Sequence, residues 1–255
     1  MRVAVMTPTF NERANIDEFV RRTRAAVPDA HIFVVDDASP DGTGERVVEL
    51  AASDSLLSLV SRDGVRGYAA ASRDGLTRIS AQDFDAIVTI DCDLSHDPRD
   101  IPMLLEALSR GADVSIGSRY VLGGGVRNWS LSRRLLSRWG NWYTGIMLGV
   151  GVRDCTSGYR AYRSEVIRSG VVAATTSDGY SFLTEVLFRL RGGLGHTDSD
   201  SGMPVRWRIT EVPIIYTERV AGESKMNKTI ISESMRRVTL WGLRHLMSRL
   251  LGRRR

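Results

Sequence analysis

The 255-residue chain reads as an α/β fold: a mostly parallel sheet flanked by helices, followed by a basic amphipathic C-terminal helix. Three observations predict this. Short apolar runs rich in β-branched residues alternate with segments of helical period through the first half. The runs are predominantly apolar, the pattern of a parallel sheet covered on both faces. At 42% hydrophobic and 25% charged, the composition is that of a soluble globular chain able to fill one sizeable core, and it excludes disordered, collagenous and disulfide-stapled classes.

The spacing places strands at residues 3–6, 31–35, 56–60, 86–90 and 113–116, and helices at 14–26, 44–52, 68–79 and 101–109. The fourth helix carries start signals, with Asp97 as N-cap, Pro98 at the first helical position and Asp100 in the first turn. Beyond it, 123–152 reads as a Gly-rich loop leading into a helix with Leu131, Leu135, Leu136, Trp139, Trp142, Tyr143 and Ile146 among Arg133, Arg134 and Arg138. An apolar helix over 180–190, a polar loop over 192–202, a strand over 209–216 and a terminal helix from 229 complete the chain. Two parts follow, a main domain at 1–228 and a basic tail at 229–255.

Residues 139–152, the longest uncharged stretch near the middle, fall short of the roughly 20 apolar residues of a spanning helix. Met1-Arg2 leads straight into the first strand and Pro8, without the apolar core of a leader, so a cytoplasmic chain is expected. Cys92 and Cys155 fit no CxxC pattern and read as reduced, structural thiols. The net charge is +5, yet residues 234–255 hold seven arginines and no acid; without them 28 basic residues face 30 acidic ones. A near-neutral body excludes a nucleic-acid-binding face, and the basic tail suits an anionic surface.

In a doubly wound sheet the ligand sits beyond the carboxyl ends of the strands. Thr7 to Glu12 follow the first run, Asp36 and Asp37 the second, Asp91-Cys92-Asp93 the fourth and Gly117-Ser118-Arg119 the fifth. Asp-x-Asp occurs three times in the chain, but only Asp91/Asp93 closes an apolar run, where period-two geometry would send both carboxylates to one side. Two hard oxygen ligands suit Mg²⁺ or Mn²⁺ when substrate phosphates complete the shell; the alternative is an acidic turn capping the next helix. Arg119 suits bidentate phosphate contact, or pairing with a nearby acid. Asp36 and Asp37 suit a base edge or ribose, or an Asx turn feeding Pro40. Gly64, Gly67 and the small residues 69–71 allow a close helix approach or a tight turn. Neither GxGxxG nor a Walker loop is present, which removes the main support for dinucleotide oxidoreductases and P-loop kinases.

Together, the stretches 7–12 (TPTFNE), 34–43 (VVDDASPDGT), 91–98 (DCDLSHDP) and 116–120 (IGSRY) closely resemble glycosyltransferase family 2, and within it the polyprenyl-phosphate (dolichol-phosphate) mannose synthases. Stretches 123–129, 154–162 and 222–226 extend the resemblance, which covers about 2–235 in order. It implies a GT-A catalytic domain at 1–228 that transfers mannose, with inversion, from GDP-mannose to a polyprenyl phosphate. Pro8, Phe10, Glu12, Val35 and Asp37 would hold the nucleoside. Asp91 and Asp93 would bracket a divalent metal, with Cys92 and Ser95 beside the diphosphate. Arg119 would touch phosphates, and Arg219 and Lys225 would close over the donor or acceptor phosphate. Ser95 stands where some relatives carry a metal-contacting Gln, Ala221 where some carry Arg, and 192–207 is longer than the usual connection.

A lipid phosphate is already an anionic nucleophile, so charge control and in-line placement are the required catalysis and no general base is needed. His96 reads as part of the helix-capping turn, and Glu185 as lining the acceptor path or as a helix-surface carboxylate. An isoprenoid acceptor lies in a bilayer, so the terminal helix, with a stripe of Ile231, Met235, Val238, Leu246 and Leu250, and residues 131–146 are expected on the anionic cytoplasmic membrane surface, unless the helix packs on the protein. The sequon at Asn128-Trp129-Ser130 has no use in the cytoplasm. The alternatives are a sister transferase using UDP-glucose or another nucleotide sugar, and a silent, membrane-recruited binding module.

Overall fold

The computed structural model describes residues 1–179, 181–195, 206–218 and 228–252, with backbone alone at 228–231 and 248–252. Strands β1 (Val3–Thr9), β2 (His31–Asp36), β3 (Leu57–Ser61), β4 (Ala86–Thr89), β5 (Val114–Ser118), β7 (Arg160–Arg163) and β8 (Ile209–Pro213) form one sheet in the order β3-β2-β1-β4-β7-β5-β8. All run parallel except β7, which is antiparallel to both β4 and β5. A second, two-stranded parallel sheet joins β6 (Gly125–Arg127) to β9 (Ile215–Thr217).

Helices α1 (Ile16–Ala26), α2 (Thr43–Ala51), α3 (Tyr68–Ser80) and α4 (Ile101–Ser109) fall within two residues of their expected limits. As predicted, Asp97 caps the turn before α4, its Oδ1 accepting the Arg99 N–H at 3.0 Å, and Pro98 opens a short 3₁₀ turn. Each central strand is buried on both faces. Ala4, Met6 and Val35 face α3 and α7 (Ser181–Leu190), while Val5, Val34 and Val88 face α1 and α4. Each large side chain so buried contributes about 1.5–3 kcal/mol. Helix α3 approaches the sheet on Ala71, Ser72 and Gly75; a Cβ at Gly75 would lie 2.6 Å from Met6 Sδ and 2.8 Å from Val35 Cγ2.

Three differences from the sequence reading bear on the site. Strand β1 runs through Pro8 to Thr9, because β4 pairs only as far as Met6 and the residues beyond need one partner, β2. The single strand expected over 209–216 breaks at Ile214, where β5 ends; the Ile214 N–H bonds the Ser118 carbonyl and the chain leaves for the second sheet. Strand β7 was not expected: Arg160-Ala161-Tyr162-Arg163 has neither a continuous apolar run nor clean alternation. It is followed by the short α6 (Ser164–Arg168).

The terminal helix α8 (Lys228–Gly252) packs on α5 (Leu131–Leu148) and α7. Val238 is buried, Tyr143 Oη lies 2.7 Å from Thr239 Oγ1, and Ser181 Oγ 2.8 Å from Ser234 Oγ. The expected stripe therefore divides: Met235 and Val238 turn to the protein, whereas Leu246 remains exposed beside Leu243 and Met247. Ile231 and Leu250 lie outside the described side chains. Among the described residues no helix is long and apolar enough to cross a membrane.

Asp100, before α4, is half-buried, and burial together with the negative Asp97 pushes its carboxyl up to about 6 from 3.8. The unfolded chain ionises first as pH rises, so this group costs stability above about pH 4, increasingly up to pH 6. Asp100→Asn is expected to stabilise the chain by about 1 kcal/mol at pH 7.5, allowing for partial solvent screening, and to be neutral below pH 4. Thermal unfolding at the two pH values checks this; an equal effect at both refutes it.

Candidate active site

Because β4 ends at Thr89, Asp91 and Asp93 lie in the turn beyond the strand, not on it as their spacing suggested. Asp93 is buried and its Oδ1 accepts the Ser95 N–H at 3.0 Å; helix capping, the alternative use of the pair, falls to Asp97. Asp91 faces a cavity of about 180 Å³. Among the described residues, the buried Ser95 Oγ and His96 Nδ1 have no hydrogen-bond partner, and His96 Nδ1 is 3.9 Å from Asp91 Oδ2. Orphaned buried polar atoms are costly, and here they cluster around two carboxylates. Among the described residues no three His, Cys, Asp or Glu form a complete cage. This donor set fits a divalent ion that takes its remaining ligands from substrate oxygens.

His96 is no mere capping residue. Its ring packs between Tyr159 and Tyr216, with centroids 5.2 and 5.1 Å away, and burial lowers its pKa to about 4. It is neutral at pH 7 and forms a wall of the cavity.

Arg119 leaves the end of β5 and meets Asp154 on the loop before β7. Nε donates to Asp154 Oδ2 at 2.7 Å, Nη2 to Oδ1 at 2.6 Å, and the backbone N–H to Oδ2 at 2.9 Å. Nη2 also reaches Thr156 Oγ1 at 2.8 Å, and the rings of Tyr120, Trp129 and Tyr216 surround the guanidinium at 5.4–5.7 Å. The fork expected to grip phosphate is thus filled by a carboxylate, and Nη1 is the edge without a hydrogen bond among the described residues. Burial alone would raise the Asp154 pKa, but the Arg119 charge lowers it overall.

At the other end of the sheet, Asp36 forms the Asx turn, its Oδ2 accepting the Ser39 N–H at 2.9 Å and its Oδ1 the Thr9 hydroxyl at 2.9 Å. Asp37 pairs with Arg62 and accepts the Gly67 N–H at 2.7 Å, which folds the 62–67 loop over the ends of β1 and β2. Gly67, at φ +132°, makes that tight turn. Phe10 lies under the Arg66 guanidinium, 5.3 Å from it, and Glu12 accepts from Asn15 Nδ2 at 2.7 Å. Pro8, Phe10, Glu12 and Asp37 therefore gather at the ends of β1 and β2. Val35 and Cys92 do not offer side chains: both are buried in the core, which leaves their backbones for any ligand and pushes the Cys92 thiol pKa up. Cys155 is likewise buried, its thiol pushed up to about 12.

Arg219, Lys225 and Ala221 lie outside the described residues, as do 196–205 of the long connection. Glu185 is neither a surface nor an acceptor-path residue: fully buried, it accepts the N–H groups of Thr176 and Ser177 and pairs with Arg189.

Sequence reasoning gave no role to Tyr68 or Tyr216, met Asp154 only within the stretch 154–162, and met Arg133 only as one of three arginines among the apolar residues of its helix. Arg133 pairs with Glu218 and stacks 4.2 Å over Trp129, facing the cavity. Tyr68 faces Gly158, where a Cβ would lie 2.5 Å from its hydroxyl and 3.6 Å from Asp91 Oδ1. The cavity thus has a polar side of Asp91, His96, Arg119 and Arg133, and an apolar side of Leu136, Trp139, Leu183, Met235 and Val238. The Thr217 N–H donates to the Ser95 carbonyl at 3.0 Å, tying β9 to the Asp91–Asp93 turn.

A parallel sheet with one reversed strand between those that deliver the aspartates and the arginine is the GT-A architecture of nucleotide-sugar transferases. The model of glycosyl transferase family 2 matches residues 4–170, and the chain belongs to that family. It is 41% identical over 253 residues to a polyprenol monophosphomannose synthase of Mycolicibacterium smegmatis, covering 98% of this chain and 91% of the relative. It is 43% identical over 247 residues to an undecaprenyl-phosphate mannosyltransferase of Micrococcus luteus, covering 95% of each. Among solved structures, the glucosyl-3-phosphoglycerate synthase of Mycobacterium tuberculosis, in complex with Mn²⁺, UDP-glucose and phosphoglyceric acid, shares the fold with a TM-score of 0.60 and 22% identity, over 93% of this chain and 77% of that one.

Asp93→Ala is expected to reduce sugar transfer at least about 100-fold, and losing its bond to the Ser95 N–H to cost about 1 kcal/mol of stability. Transfer rates and thermal unfolding check the two effects; near-wild-type transfer excludes a metal-holding role for Asp93.

Proposed function

We propose that the chain is an inverting, divalent-metal-dependent mannosyltransferase that moves mannose from GDP-mannose to a polyprenyl monophosphate. The observation that carries this reading is the cavity, which joins Asp91 and two arginines to an apolar wall from α5, α7 and α8. A sugar acceptor with a phosphate head and a hydrocarbon tail needs both surfaces in one place. The names of the relatives, mannosyl transfer enzymes with polyprenyl acceptors, point the same way.

The ends of β1 and β2, with Phe10, Glu12 and Asp37, hold the nucleoside. Asp91 and Asp93 would hold a Mg²⁺ or Mn²⁺ ion, which would supply positive charge to offset that of the departing GDP. The lipid phosphate oxygen attacks the anomeric carbon opposite the leaving diphosphate: the new C–O bond forms as the bond to the GDP oxygen breaks, and the configuration inverts. Arg119 and Arg133 orient that phosphate, and Arg219 and Lys225 close over the donor or acceptor phosphate. No proton has to leave the nucleophile, consistent with a neutral, buried His96 as the cavity's histidine.

The same helices meet the membrane. Leu135, Trp139, Trp142 and Ile146 of α5 are each at least half exposed, with Arg134 and Arg138 among them, and Leu243, Leu246 and Met247 of α8 add to this apolar surface. The chain thereby sits peripherally on the cytoplasmic face, its arginines among anionic headgroups.

Radiolabelled mannose is expected in organic-extractable lipid when the chain, Mn²⁺, polyprenyl phosphate and GDP-mannose are combined. A preference for UDP-glucose replaces the donor and makes the chain a sister transferase, and transfer from neither leaves a binding module. Because α8 is packed, the surface is tested by point changes: Leu135→Ser with Trp142→Ser is expected to weaken sedimentation with phosphatidylglycerol vesicles about tenfold or more. Unchanged sedimentation refutes that face.

A further inference from the structure

Asp154 is fully buried, and among the described residues the short hydrogen bonds of its carboxylate all come from Arg119, its backbone N–H, Nε and Nη2, at 2.6–2.9 Å, with the Thr156 hydroxyl farther off at 3.5 Å. A buried ion pair is a poor source of stability, since removing two charges from water cancels most of their attraction; its characteristic effect is to fix geometry. The pair is itself held from behind. Glu211 on β8, in register with Ile116 of β5, accepts the Arg153 N–H at 2.8 Å and the Asp154 N–H at 2.9 Å through its two carboxylate oxygens. Asn141 of α5 accepts the next amide, that of Cys155, at 2.7 Å. Asp154 is therefore supported by a strand and a helix, while Trp129 and Tyr216 limit the guanidinium on its faces.

We propose that Asp154 is a positioning residue, anchored by Glu211, which turns Arg119 so that only Nη1 is presented to an anionic phosphate in the cavity. Three of the five guanidinium N–H donors are spent on Asp154 and Thr156, so the phosphate meets the two on Nη1, held in a fixed direction. An untethered arginine would offer any of its edges and swing with the phosphate. In-line attack needs one oxygen aimed at the anomeric carbon, and a fixed cationic edge beside Arg133 sets that aim. The inference rests on the cavity being the phosphate-binding half of a transferase site.

Binding of farnesyl phosphate, with farnesol as the uncharged control, tests the inference on the full chain without requiring turnover. Asp154→Asn is expected to weaken farnesyl phosphate about tenfold, the loss of one well-aimed charge-assisted bond, and to leave farnesol unchanged. Arg119→Gln should weaken it similarly, and the double variant no further, because Asp154 acts only through Arg119. Wild-type affinity in Asp154→Asn, losses that multiply in the double variant, or a wild-type chain that binds both probes alike would each overturn the assignment. Should Asp154→Asn not fold, Glu211→Gln, which leaves the ion pair in place, is expected to weaken farnesyl phosphate about threefold by the same route, and no change there overturns it. A wild-type chain that binds farnesyl phosphate through this pair yet transfers no sugar would sink the transferase reading and leave the positioning role standing.

Discussion

The arrangement of the site follows from β7 running against its neighbours. Placed between β4 and β5, it enters the sheet from the end at which those strands finish, so the loop before it, 154–158, rises between the turn carrying Asp91 and the strand end carrying Arg119. The loop is stitched to both sides: Thr89 Oγ1 donates to the Gly158 carbonyl at 2.7 Å, and the Gly117 N–H to the Tyr159 carbonyl at 2.8 Å. Beneath it lies Arg160, fully buried, whose guanidinium donates to the carbonyls of Cys155, Ser157 and Leu183. A planar cation with five donors can satisfy several carbonyls of one turn, which an ammonium cannot. The reversed strand thus converts a wide crevice into one with a floor, and Asp154 and Gly158 stand on that floor.

The charges of the site share one economy: each cation that faces the cavity already holds an anion. Arg119 has Asp154 and Arg133 has Glu218, the first pair buried and the second half-exposed. Beyond β4, Asp93 accepts the Ser95 N–H and Asp91 lies near His96 Nδ1, which, like Ser95 Oγ, has no hydrogen-bond partner among the described residues. The polar groups of this region are therefore arranged around charge that the ligands bring.

Much of this was legible in the residues, for reasons that can be named. Strands β1, β2, β4 and β5 are apolar runs because both their faces are buried, and burial on both faces is what a linear pattern reports best. The motifs at their ends were visible because polar residues that interrupt such runs at their carboxyl ends have little use in a core. The rest depends on partners distant in sequence. Strand β7 is four residues of mixed polarity whose register is dictated by β4 and β5. Asp154 resembles any loop aspartate until Arg119, 35 residues earlier, closes on it. Glu185 and Arg133 are both charges set among apolar helix residues, yet one supports a buried turn and the other faces the cavity. Asp37 suits a base edge or ribose and Gly67 a tight turn, but that the two meet, with Arg62 bringing the whole loop along, depends on contacts 25 and 30 residues apart.

The hydrogen bond from the Thr217 amide to the Ser95 carbonyl makes β9 a lever arm on the turn that bears the two aspartates. The next residue, Glu218, is engaged by Arg133. One short strand end therefore carries both the cavity's outer ion pair and the support of the aspartate turn, and neither can shift without disturbing the other.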